Sequence, residues 1–105
     1  MIYITGDIYC YGMWKIYEAK VIAKSLKKAP PQVQRKYKAW VEVVKNGGSK
    51  NLKNFSGFKD EKLKGDLREC RSSRLNIQYR VVYTEDRKVK EIYVLKVTPH
   101  KYDEV

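Results

Sequence analysis

Glu61, Arg80 and His100 are the side chains of this chain whose types could together act on a phosphodiester. RNA brings its own nucleophile, the 2′-hydroxyl. A catalyst then needs a base for the hydroxyl proton, a cation for the charge that builds on phosphorus, and an acid for the departing 5′-oxygen. A carboxylate, a guanidinium and an imidazole can fill those roles without a metal. Other chemistries are poorly provided for. His100 is the only histidine, and Cys10 and Cys70, the only cysteines, form no zinc-ligand spacing and no disulfide framework. No glycine-rich phosphate loop leads into a helix, and no Gly-x-Ser-x-Gly elbow is present. No cofactor is implied.

The elements that must position these residues centre on the stretch from Leu63 to Tyr83. It opens with the turn signal Lys64-Gly65-Asp66 and reads as two strands, with Arg68, Arg71 and Arg74 ahead of the second one. Alternation along that second strand puts Ile77, Tyr79, Val81 and Tyr83 on one face and Gln78, Arg80, Val82 and Thr84 on the other. An arginine in mid-strand among apolar neighbours implies either an ion pair or an open face built to hold an anion. With Glu61 just before the first strand and His100 just past the last, all three would meet on one open sheet face.

The rest of the chain supplies the support. Trp14 to Glu18 alternates like a strand, and Ala19, Ile22, Ala23 and Leu26 recur at helical spacing until Ala29-Pro30-Pro31. A second helix is expected from Pro31 to about Asn46, with Val33, Tyr37, Trp40, Val41 and Val44 as its apolar stripe and Asn46-Gly47-Gly48-Ser49 as its stop. Tyr37 and Trp40 therefore read as core. Residues 47 to 59 read as a loop in which Lys50, Lys53 and Lys59 interleave with Phe55 and Phe58. Such a pattern suits single-stranded nucleic acid, but aromatic side chains that pin the loop to the core are the preferred reading. A last strand, Val89 to Val97, places Ile92 and Val94 on one face and Tyr93, Leu95 and Val97 on the other, which predicts an interior position in the sheet. The expected fold is α+β: two N-terminal helices packed on one face of a small, mainly antiparallel sheet.

With 105 residues the chain makes one domain. Residues 1–13 carry no Lys or Arg and are read as an N-terminal extension, either a short strand or a leader, ahead of a domain over 14–105. No apolar run is long enough for a membrane span, and no secretory signal is recognised, so a cytoplasmic protein with free thiols is expected. Twenty-three Lys and Arg face 12 Asp and Glu, a formal net charge of +11. Between residues 15 and 59 the only acids are Glu18 and Glu42. A field of that sign selects polyanions, of which nucleic acid and acidic protein partners are the common ones.

Three separated motifs give the chain a family likeness. Leu63-Lys64-Gly65-Asp66-Leu67, Arg71-Ser72-Ser73-Arg74-Leu75 and Tyr79-Arg80-Val81-Val82-Tyr83 resemble the RelE/YoeB/HigB toxins of bacterial type II toxin–antitoxin systems. Gly57-Phe58-Lys59-Asp60-Glu61 and Thr98-Pro99-His100-Lys101-Tyr102 look like segments of the same group, and the match spans residues 14 to 102. The resemblance implies a RelE-like fold and a ribosome-associated mRNA endonuclease that blocks translation and growth. It further implies Glu61 as general base, Arg80 as transition-state stabiliser, His100 as general acid and Tyr102 as a positioning or stacking residue. Lys64, Arg71, Arg74 and Lys101 become expected RNA contacts, with Lys101 an alternative acid. The sequence departs from the family pattern at Tyr79, where a histidine is usual, and in the residue that separates His100 from Tyr102. The implied partners are mRNA, the ribosome and a cognate antitoxin that forms a complex with the toxin. Two other readings stay open: a ParE-like toxin that inhibits gyrase, and a non-catalytic basic binding module.

Overall fold

The structure is a computed structural model that describes residues 2–4, 13–64 and 69–99. Along the chain come β1 (Ile2–Ile4), β2 (Lys15–Ala19), α1 (Val21–Lys28), α2 (Pro31–Lys45), α3 (Ser49–Leu52), a 3₁₀ turn (Ser56–Phe58), β3 (Glu61–Lys62), β4 (Arg71–Arg74), β5 (Tyr79–Asp86) and β6 (Glu91–Pro99). The helices thus follow two strands and are not N-terminal, as the sequence reading had them. The strands form one sheet in the order β1-β2-β6-β5-β4-β3. All neighbouring pairs are antiparallel except β2 and β6, which run parallel, so the sheet is mixed. No helix among the described residues is long and apolar enough to cross a membrane.

Local chemistry sets the helix limits. Pro30 is extended (φ −58°, ψ 151°), as a residue before proline must be, and Pro31 occupies the first turn of α2 where no amide donor is needed. At the other end Gly48 has φ 70°, and a β-carbon there would meet the Trp14 ring at 2.7 Å. Only glycine fits that close approach. Trp14 also donates its backbone amide to the Lys45 carbonyl at 3.0 Å, which ties the entry of β2 to the end of α2.

Both long helices bury one side against one sheet face. Ile22, Val33, Tyr37, Trp40 and Val44 join Ile16, Leu75, Val81, Tyr83, Ile92, Val94 and Val97 in a single core. Full burial of each such side chain stabilises the fold by about 1.5–3 kcal/mol. Tyr37 and Trp40 are core, as expected, and Phe58 is buried while Phe55 is half exposed. The stretch 47–59 is not the plain loop expected, since α3 and the 3₁₀ turn occupy much of it. Two face assignments also change. Ile77 lies in the bend before β5, 75% exposed, because Asn76 accepts the Gln78 and Tyr79 amides and closes the β4–β5 turn. In β6, Val81 pairs with Val97 and Val82 with Lys96, whereas Tyr83 pairs with Val94, so Leu95 is an extra residue. That bulge shifts the alternation and brings Val97 to the core face with Ile92 and Val94.

Candidate active site on the open sheet face

Strand register decides which side chains share the face that the helices leave uncovered. Glu61 on β3 stands opposite Ser72 on β4, Ser72 opposite Val82 on β5, and Arg74 opposite Arg80. On the other side of β5, Arg80 faces Thr98 and Val82 faces Lys96. Directly opposed residues of paired strands point the same way. Glu61, Ser72, Arg74, Arg80, Lys96 and Thr98 therefore form one patch. Arg80 is its centre: Nη1 donates to Glu61 Oε2 at 3.2 Å and to Ser72 Oγ at 3.4 Å. Its other guanidinium nitrogens bond no described residue, so a fork of donors remains for an oxyanion.

The reverse side of the same strands is closed. Asp60, one residue before Glu61, points into the helix-covered side. Its carboxylate accepts Arg71 Nη2 at 2.6 Å and Nε at 2.9 Å, Ser73 Oγ at 2.8 Å and the Tyr83 hydroxyl. Ser73 in turn accepts Trp40 Nε1 at 2.9 Å, which links α2 to β3 through two side chains. Burial, and then the bond to Asp60, push the Tyr83 hydroxyl far above its ordinary range. Burial pulls the Arg71 guanidinium down, but the hydrogen bond and charge of Asp60 outweigh it and raise it overall. With Asp60 held in this way, Glu61 is fixed at the edge strand and aimed at the opposite face.

The expected site residues divide accordingly. Glu61, Arg80 and Arg74 come together, and Lys64 is exposed just beyond β3. Arg71 does not join them: its guanidinium is bound to Asp60 on the helix side of the sheet. Of the two arginines of β4 expected to contact RNA, Arg74 and not Arg71 is on the face with Arg80. His100, Lys101 and Tyr102 lie outside the described residues. The sequence reading missed Ser72, Lys96 and Asp60. Two-residue alternation along β4 separates Ser72 from Arg71 and could have found the first. Lys96 reaches the face only through the Leu95 bulge, for which the sequence carries no signal.

No family model and no curated protein matches the sequence. Solved structures do match in fold. The archaeal RelE–RelB complex from Pyrococcus horikoshii OT3 aligns with a TM-score of 0.68 at 23% identity, covering 86% of this chain and 98% of that one. YafQ from E. coli strain BL21(DE3) aligns at 0.67 and 16% identity, covering 83% and 93%. The YoeB–YefM complex from Staphylococcus aureus aligns at 0.65 and 23% identity, covering 84% and 98%.

Proposed function

We propose, from the fold shared with the RelE, YafQ and YoeB toxins, that this chain is the toxin of a type II toxin–antitoxin pair and cleaves mRNA on the ribosome. The observation that carries the reading is the meeting of Glu61 and Arg80, 19 residues apart in sequence, at 3.2 Å on an uncovered cationic face. In this mechanism Glu61 takes the proton of a 2′-hydroxyl, whose oxygen attacks the adjacent phosphorus. Arg80 gives its remaining donors to the phosphoryl oxygens as charge gathers there. The bond to the 5′-oxygen breaks, that oxygen is protonated, and a 2′,3′-cyclic phosphate is left. His100 is the proposed acid, with Lys101 as its alternative and Tyr102 as a positioning group. Arg74, Lys64 and Lys96 bind neighbouring phosphates. Toxins of this fold have been solved with RelB and YefM. An antitoxin laid over the same face would silence this one in the cytoplasm.

The test is expression of the chain in a bacterial host with primer extension on its messages. Wild type should cut translated mRNA and arrest growth, and Glu61→Gln and Arg80→Ala should each lower cutting about 100-fold or more. Undiminished cutting in both variants would remove this site. Gyrase-linked DNA breaks with intact messages would favour the ParE-like reading instead.

A further inference from the structure

The open face does not end at Arg80. Toward the opposite end of the sheet, Thr84 on β5 stands across from Tyr93 on β6, and Tyr93 stands across from Tyr17 on β2. Thr84 follows Arg80 by four residues, about 13 Å at ~3.3 Å per residue. The two tyrosine rings stack at 5.1 Å with planes 12° apart. Tyr17 donates its hydroxyl to Glu91 Oε2 at 3.3 Å, and Tyr93 donates to Oε1 of the same carboxylate. Asp86 pairs in register with Glu91, as does Lys15 from the other side. Across from Tyr93, on the side away from Tyr17, β5 presents the short side chain of Thr84.

We propose that Tyr17, Tyr93 and Glu91 form a base-reading subsite for a nucleobase with an exocyclic amino group. The subsite deepens the nuclease reading and rests on it. A base laid over Thr84 would extend the tyrosine stack by one ring, and stacking on aromatic side chains is how single-stranded RNA is held. Each carboxylate oxygen has two acceptor positions, of which a tyrosine takes one, so Glu91 keeps acceptors for an amino group. Cytosine offers its N4 amino donors to a carboxylate, whereas uracil offers an acceptor at the same place and is repelled. Arg74, Arg80 and Lys96 hold the backbone at the other end of the face. The hydrogen bond to Glu91 pushes the Tyr93 hydroxyl up to about 12, so it stays a donor that orients the carboxylate.

The experiment is fluorescence anisotropy of the full chain with 2′-O-methyl cytidine and uridine octamers, which have no free 2′-hydroxyl to attack. Wild type should bind the cytidine octamer about tenfold more tightly, the scale of one good base contact. Glu91→Gln should abolish that preference, because an amide offers both donor and acceptor. Tyr93→Leu should weaken both octamers about tenfold, whereas Tyr93→Phe, which keeps the ring but loses the hydroxyl that orients Glu91, should bind the uridine octamer as wild type does and lose part of the cytidine preference. Equal binding of the two octamers by wild type, or an unchanged preference in Glu91→Gln, overturns the subsite. Cleavage assays run in parallel separate the two readings. Cutting with no base preference sinks the subsite alone, and base preference with no cutting sinks the nuclease alone.

Discussion

Asp60–Arg71 and Glu61–Arg80 are two carboxylate–guanidinium pairs set back to back through one sheet, on consecutive acids of the sequence. Their chemistry is nearly the same and their surroundings are opposite. The Asp60 side chain is 5% exposed and accepts four hydrogen bonds, so its acceptor positions are filled. The Glu61 side chain is 58% exposed and accepts one bond from Arg80. A closed pair of this kind holds a fold together, whereas an open one can exchange its partner for a substrate. The helix layer makes the difference, since it packs on one face of the sheet and not on the other.

Breaking the closed pair should cost the most. Asp60→Asn leaves one acceptor oxygen and puts an amide donor either against Arg71 or against the Ser73 and Tyr83 hydroxyls, and it removes the charge that Arg71 is paired with. Loss of about 3 kcal/mol is expected in urea unfolding, with activity falling as Glu61 loses its anchor. Trp40→Phe keeps an aromatic ring but removes the donor to Ser73, and about 1–2 kcal/mol should be lost by the same measurement. On the open side the expectation reverses: Glu61→Gln should shift stability by less than about 0.5 kcal/mol while abolishing cleavage. A large loss of stability in Glu61→Gln would mean that the two pairs do not differ in kind.

A smaller effect belongs to Glu85, on the covered side of β5. Burial alone would raise its carboxyl, but Ser49, through hydroxyl and amide, and Arg87 outweigh that and hold it below the ordinary range. A carboxyl depressed in the folded state contributes stability above its unfolded value of about 4.5 and loses it as pH falls through the folded value. Glu85→Gln should therefore flatten the acid limb of the stability–pH curve. An unchanged limb would mean that Ser49 is not held by charge.

Much of the helix layer was legible in the chain. Paired prolines and paired glycines punctuate α2, and its 3.6-residue stripe named Tyr37 and Trp40 as core. The interior place of β6 followed from its two apolar faces. Glu61 and Arg80 could be nominated by residue type, but their meeting depends on β3 and β5 flanking β4, which is a matter of pairing rather than of local pattern. The fate of Arg71 was hidden for the same reason: it and Arg74 look alike in sequence, and three residues of strand put them on opposite faces. Asp60 gave no sign at all, because its donors come from two other elements, β4 and β5.

The bulge at Leu95 shows that β6 counts partners rather than residues. Val94 and Lys96 are paired to consecutive residues of β5, with Leu95 looped between them. Deleting Leu95 would leave a regular ladder in which Val97 still faces the core and Lys96 still faces the open side. Closing the bulge without a deletion would do the reverse, sending Lys96 inward and Val97 out. The cationic half of the strand thus keeps its orientation only because one spare residue absorbs the parity error between it and the apolar half.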